Sequence, residues 1–194
     1  MAIEKRQGAK LPHWTADNAT YAVTFRLADS IPAGAAADLT AELAGLEKLA
    51  ERAVPLTIEE LIRLHRLRDE AIDKLLNAGH GECLFNDSSL AEIVAGALTH
   101  FEATRYRLEA WCVMPNHVHA VFTPLAGYSL PKVLHSWKSF TAHAINKKLG
   151  RSGPLWQTES YDHLIRNHGD LMHHVLYVHE NPAKAGLTDW PWMG

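Results

Sequence analysis

At 194 residues, 47% of them hydrophobic and 21% charged, the chain is long enough for one domain with a substantial core and lacks the composition of a disordered segment. Two cysteines, Cys83 and Cys112, exclude a disulfide framework or a Cys-rich zinc site and read as reduced structural residues; no apolar run reaches the length of a membrane span, and the opening Met1-Ala2-Ile3-Glu4-Lys5-Arg6 lacks a signal peptide's apolar segment, so the expectation is a cytoplasmic protein with no membrane partner. A formal charge of −3 argues against a uniformly basic nucleic-acid-binding surface, yet residues 105–194 hold nine Lys or Arg against six Asp or Glu, which makes the histidine-rich half the basic half.

Residues 1–18 are polar, show no periodicity and read as an arm. Residues 20–27 (Thr-Tyr-Ala-Val-Thr-Phe-Arg-Leu) are β-branched and aromatic enough for a strand. Two helical stretches follow. One, around 37–52, spaces Leu39, Leu43 and Leu46 helically; the other opens on Thr57 and Glu60 in capping-box spacing and ends at Gly79. Together they read as a helical insertion at about 36–78 within a single domain spanning 1–194. Ser89 and Glu92 fit a capping box for a helix to about Thr104. Residues 106–113 and 117–123 then read as two strands of a hairpin turned at Pro115-Asn116. A long helix over 129–149 gathers Leu130, Val133, Leu134, Trp137, Phe140, Thr141 and Ile145 on one broad face. A last strand at 161–165 precedes a helix over 170–180, stopped by Asn181-Pro182. Without the insertion, the order suits an α+β fold of the split βαβ kind, with a mostly antiparallel sheet and helices on one face.

The chemistry concentrates at Pro115-Asn116-His117-Val118-His119-Ala120-Val121. On a strand, His117, His119 and Val121 project together while Val118, Ala120 and Phe122 face the other way, so two imidazoles form a potential metal chelate. A His-hydrophobic-His pattern is weak alone in a chain with 13 histidines. The final helix supplies partners: Tyr177 and Asn181, four residues apart, lie one above the other on one helical face, and docking that face on the imidazoles would join a phenol and an amide to them. Of the other tyrosines, Tyr21 and Tyr106 read as sheet or core residues and Tyr128 as a loop residue, leaving Tyr161 as the rival nucleophile. Trp137 and Trp156 read as core more than as base-stacking platforms. His173 and His174 stand equally as site residues or solvated helix residues; His135, His143, His163, His168 and His179 read as surface or hydrogen-bonding residues.

Trp111-Cys112-Val113-Met114-Pro115-Asn116-His117-Val118-His119, Ser136-Trp137-Lys138-Ser139-Phe140-Thr141, Gly153-Pro154-Leu155-Trp156-Gln157 and Tyr177 through Asn181-Pro182-Ala183-Lys184-Ala185-Gly186-Leu187 follow one another in an order that resembles the REP-associated tyrosine transposases, within the single-tyrosine HUH group acting on single-stranded DNA. The resemblance runs from Leu11-Pro12-His13-Trp14 to Trp190-Pro191-Trp192. It implies a ferredoxin-like core, His117 and His119 as the metal pair, Asn181 as a third ligand, and Mg²⁺ or Mn²⁺ as the ion. It further implies Tyr177 as a nucleophile forming a 5′-phosphotyrosine link, with hairpin-bearing single-stranded DNA as the partner of a monomer or homodimer.

A free phenol titrates near pH 10, which is why such a nucleophile needs a Lewis acid beside it. Imidazole ligands suit manganese better than magnesium. Lys138, Lys147, Lys148 and Arg151 cluster as candidate phosphate contacts, the bland alternative being a solvated helix face. Two other functions stand beside the transposase reading: a hydrolase in which His117, His119 and Glu180 activate water, and a non-catalytic DNA-hairpin-binding protein.

Overall fold

The computed structural model describes residues 4–7, 12–15, 18–32, 34–35, 67, 70–71 and 73–194. The chain divides into two compact units, Met1–Ala28 with Leu84–Gly194, and Asp29–Cys83. Most of the expected helical insertion at about 36–78 lies outside the described residues. Within the smaller unit, the Asp29 carboxylate accepts from the Glu82 amide at 2.7 Å, and Gly81, at φ +83°, leaves no room for a Cβ against Asp29.

The larger unit is built on a four-stranded antiparallel sheet in the order β4 (Tyr106–Met114), β5 (His117–Pro124), β3 (Tyr21–Arg26), β6 (Tyr161–Leu164). A separate hairpin pairs β1 (Glu4–Gln7) with β2 (Pro12–Thr15), where the sequence suggests only a polar arm. Backbone pairing needs no apolar alternation, so periodicity carries no trace of it.

Among the described residues three α-helices complete the unit, on both faces of the sheet where the element order suggests one. The apolar residues of α1 (Ser88–Thr99) and α2 (Leu130–Leu149) share a core with Tyr21, Val23 and Phe25 of β3 and Val118, Ala120 and Phe122 of β5. The opposite face carries a smaller core in which Ala110, Cys112, Met114 and Val121 meet Leu171, Val175, Tyr177 and Val178 of α3 (His168–Lys184). A bulge at Glu109 between the Leu108–Phe122 and Ala110–Val121 pairs reverses the alternation of β4. It turns Ala110, Cys112 and Met114 toward α3, although Tyr106 and Leu108 upstream face the other core. Burial raises the Cys112 thiol to about 12, which keeps it protonated and inert.

The helix ends depart from the local sequence signals. The cap of α1 is Asp87, whose Oδ1 accepts from the Ser89 amide at 2.8 Å and from its hydroxyl at 2.7 Å, so Ser89 is capped and does not cap. The helix stops at Thr99, with the Arg105 guanidinium 3.3 Å over the Phe101 ring in the turn beyond. α2 ends at Gly150, whose φ of 63° is left-handed. Phe140, expected inside, is 60% exposed because it lies at the margin of the face centred on Trp137 and Thr141. α3 continues four residues past its expected stop and encloses Pro182. The ring removes one backbone donor in the final turn, yet Ala185 N still reaches Asn181 O at 3.0 Å and Leu187 N reaches Pro182 O at 2.8 Å. Asn181 is thereby helical and fully buried.

The C-terminal tail closes the outer edge of β4. Trp111 N donates to Gly194 O at 2.7 Å, Gly194 N returns to Trp111 O at 3.0 Å, and Val113 N donates to Trp192 O at 2.8 Å. On the inner side a buried polar chain ties the α1/α2 core together. Trp137 Nε1 donates to the Tyr106 hydroxyl at 2.9 Å, which donates to Leu98 O at 2.8 Å. Trp156 Nε1 donates to Thr141 Oγ1 at 2.9 Å. Both tryptophans are therefore core residues, as expected.

Tyr106→Phe leaves the Trp137 indole N–H without an acceptor in an apolar surround, so it should cost about 1–3 kcal/mol while barely changing volume. Urea denaturation compared with wild type checks this; an unchanged midpoint would show that the chain does not link α1, β4 and α2.

Candidate active site

Antiparallel pairing sets one row of side chains across the α3 face of the sheet: Cys112, His119, Thr24 and Tyr161 are successive cross-strand partners. His117 sits in the next row between Met114 and Arg26. Both histidines are buried, and their Nε2 atoms lie 2.9 Å apart with the rings nearly perpendicular at 87°. That separation is close to the cis edge of about 3.0 Å expected for two ligands about 2.1 Å from one octahedral cation.

Each imidazole is held at its other nitrogen. His117 Nδ1 lies 2.7 Å from Asn116 Oδ1, an acceptor, which places the proton on Nδ1 and a lone pair on Nε2. His119 Nδ1 lies 2.8 Å from the Thr24 hydroxyl, which can accept or donate and so permits either tautomer. This pattern of outer hydrogen bonds is what metal-binding histidines need to aim their lone pairs. Neither Thr24 nor Asn116 stands out in the sequence as a site residue, because Thr24 reads as a strand former and Asn116 as a turn former. Burial, then the neighbouring His119, lowers the His117 pKa well below its ordinary value; burial, then His174, lowers His119 to about 3. Both rings are therefore neutral at physiological pH, the state in which imidazole ligates.

Tyr177 meets this pair from α3, its ring 5.4 Å from that of His119 and edge-on at 83°. The phenol is half-buried, and Lys184 Nζ lies 5.6 Å from the ring centroid. Asn181 follows one turn later on the same helical face, in the buried end of α3. Tyr161 shares the sheet face, but its phenol engages Arg26, whose guanidinium is lowered mainly by burial and raised in opposition by Tyr161.

The other expectations divide. Glu180 is exposed and ion-paired with Lys184 at 2.9 Å, which turns its carboxylate to solvent. Lys138 Nζ donates to the carbonyls of Gln157 and Thr158, and burial lowers it to about 8 against the pull of Glu159, so it ties α2 to the following loop. Lys147 and Lys148 are exposed in the last turn of α2, in the layer across the sheet from the histidines, with Lys148 Nζ 3.3 Å from Ser89 O. Arg151 Nε donates to Asn146 Oδ1 at 3.3 Å. His174, at 3% exposed, is not a solvated residue, and His163 is a hydrogen-bonding one: its Nε2 lies 3.0 and 3.1 Å from the two Asp170 oxygens. Asp170 and His174 share a face of α3 at i, i+4 spacing, a signal the sequence does contain.

An imidazole held neutral by burial takes up its proton when the chain unfolds. With folded pKa values below the ordinary value of about 6.5, His117 and His119 leave stability intact above that pH and erode it as pH falls below, by at most about 2.7 kcal/mol per pH unit for the two. Asp170 is silent in that window. Burial raises its carboxyl, but the contacts from His163 and His174 outweigh this and hold it far below the carboxylate range, so its contribution is lost only as pH falls through that depressed value. Denaturant melts of the metal-free protein from about pH 7 to about pH 5 should therefore show falling stability, flattened in His117→Gln/His119→Gln. A flat wild-type profile would contradict the buried neutral pair.

Residues 84–180, half of the chain, match the family described as Transposase IS200 like. A REP-associated tyrosine transposase of Escherichia coli is 33% identical over 92 residues, covering 45% of this chain and 53% of that protein. A putative REP-associated tyrosine transposase of Haemophilus influenzae is 27% identical over 103 residues, covering 43% and 55% respectively. This chain spans about half the length of the curated relatives it matches. The solved structure of a REP-associated tyrosine transposase bound to a REP hairpin superposes with a TM-score of 0.57 at 18% identity, over 96% of this chain and 82% of that one, and so shares the α+β fold. With half of its length matching the family and its fold shared with a solved tyrosine transposase, the chain belongs to the IS200-like transposases.

Proposed function

We propose that this protein is a metal-dependent single-stranded DNA endonuclease and strand transferase that acts on hairpin-forming repeats through Tyr177. The observation that carries the reading is the ring contact of Tyr177 with His119, which sets a half-buried phenol beside a pair of neutral imidazoles whose Nε2 atoms lie 2.9 Å apart. The hairpin substrate rests on family membership and on the REP hairpin bound to the fold relative. His117 and His119 hold a divalent ion, Mg²⁺ or Mn²⁺, with the Asn181 amide as third ligand. When bound, that ion supplies Lewis-acid polarisation of the scissile phosphate.

The protein's own groups do the rest. Asn116 and Thr24 orient the imidazoles, and the sheet and α3 shield them from bulk water. The Tyr177 oxygen attacks phosphorus, loses its proton and forms the phosphotyrosine bond as the bond from phosphorus to the 3′-oxygen breaks. The departing oxygen takes up a proton to become a 3′-hydroxyl. Because the phosphotyrosine bond conserves the energy of the phosphodiester, an incoming 3′-hydroxyl can reverse the step and join a new strand. Exposed Lys147 and Lys148, with Arg151, are proposed to contact phosphates, while Lys138 acts by holding the loop around Gln157. The hydrolase alternative has no support from Glu180, whose carboxylate is paired with Lys184.

Labelled hairpin-bearing single-stranded DNA incubated with Mn²⁺ and run on a denaturing gel should give a covalent protein–DNA adduct. Tyr177→Phe should abolish the adduct and reduce cleavage at least about 10³-fold. An adduct that survives Tyr177→Phe and vanishes in Tyr161→Phe would overturn the assignment, and cleavage with no adduct in wild type would favour activated water. Thr24→Val should weaken Mn²⁺ binding about 10–100-fold by freeing the His119 ring, with adduct formation recovering at higher Mn²⁺. Unchanged Mn²⁺ dependence would remove Thr24 from the site.

A further inference from the structure

We infer that His163, Asp170 and His174 form a second cation site, selective for a transition metal of the Zn²⁺ class and separate from the His117/His119 pair. One ligand atom from each of the three residues falls within a 4.8 Å cluster. His163 comes from β6, where its partner on β3 is Ala22, on the sheet face that packs against α3. Asp170 and His174 come from α3 at i, i+4 spacing and so project together.

Three features distinguish this cluster from an ordinary ion pair. Two of its donor–donor separations, 3.0 and 3.1 Å from His163 Nε2 to the Asp170 oxygens and 3.5 Å from Asp170 Oδ1 to His174 Nε2, bracket the edge of about 3.4 Å of a tetrahedron with bonds of about 2.1 Å. His174 is 3% exposed, and its Nε2 has no partner of good hydrogen-bond geometry among the described residues, standing at a long 3.5 Å from Asp170 Oδ1. A buried ring nitrogen so weakly engaged, and turned to a carboxylate and a second imidazole, is placed to serve as a metal ligand. The carboxylate, for its part, is already oriented: Asp170 Oδ2 accepts from the Arg166 amide at 2.9 Å, and the Asp170 amide donates to the Asn167 cap at 2.9 Å.

Two imidazoles and one carboxylate are a donor set that zinc favours and magnesium does not, and three protein ligands leave a fourth position for water. The two sites then differ in kind. His117 and His119 present two nitrogens at an octahedral edge, whereas the second set adds a carboxylate to two imidazoles. Tyr177 is in ring contact with a member of each, 5.4 Å from His119 and 6.4 Å from His174. An ion held by His163, Asp170 and His174 would clamp β6 to the first two turns of α3 and so fix the helix that carries the phenol.

This site does not depend on the DNA chemistry, so it is tested by metal content. The full chain, stripped with chelator and dialysed against micromolar Zn²⁺, should retain one Zn²⁺ in the His117→Ala/His119→Ala variant and none when His174→Ala is added. Co²⁺ in the double variant should show the intense visible bands of a tetrahedral site. Circular dichroism establishes that each variant is folded; if the double variant is not, wild type and His163→Ala decide, with two ions expected falling to one. A folded double variant that retains no Zn²⁺, or a Zn²⁺ count that His163→Ala and His174→Ala leave unchanged, overturns the inference. Neither result bears on the Tyr177 adduct.

Discussion

The two-sided hydrogen bonding of β5 is the constraint on which the rest of this fold depends. Paired to β4 on one side and β3 on the other, the strand cannot slip by one residue without exchanging its faces. In the register adopted, Val118, Ala120 and Phe122 anchor the α1/α2 core, and that apolar contact forces His117 and His119 onto the opposite face. The energy that fixes the site is therefore hydrophobic, although the site itself is polar. Two imidazoles are buried there because each has hydrogen-bonding partners, Asn116 and Thr24, supplied by the adjoining turn and the neighbouring strand.

The α3 layer depends on that register in turn. Its small core of Ala110, Cys112, Met114 and Val121 exists only because the bulge at Glu109 turns the far half of β4 over. Val178 and Tyr177 dock there, and the helix continues through Pro182 long enough to bury Asn181 one turn beyond the phenol. At its other end the Asn167 cap and the Asp170 carboxylate bind the first turn to the chain before it and, through His163, to β6. The helix bearing the candidate nucleophile is thus held at both ends and along its buried face, so the phenol is presented by rigid elements and not by a loop. Tyr177 is half-buried there, while the two imidazoles beside it are fully buried.

Much of this was legible from the chain. Period-two alternation at 117–122 assigned the two imidazoles to one face, and four-residue spacing joined Tyr177 to Asn181, since both signals follow from backbone geometry common to every strand and helix. The hairpin at Pro115-Asn116 and the length of α2 were visible for the same reason. The order of motifs carried the family. Less visible were the features that depend on residues far apart in sequence. Thr24 and His119 are 95 residues apart, and only the β3–β5 register makes them partners. His163 reads as one surface histidine among many until β6 pairs with β3 and presents it to Asp170. Ser89 has the capping-box spacing to Glu92, yet Asp87 two residues upstream caps the helix instead by accepting from the Ser89 amide.

By itself, then, the sequence determined which residues of β5 and of α3 share a face and that most strands and helices of the larger unit exist, because those depend on short-range periodicity and on the conformational limits of single residues. The tertiary structure alone decided which faces meet. It set α3 on the imidazole side of the sheet, gave His119 its Thr24 partner and Tyr177 its place beside His119, and drew His163, Asp170 and His174 into one cluster. Those outcomes rest on strand register, on a one-residue bulge and on burial, all of which are properties of the packed chain and have no local signature.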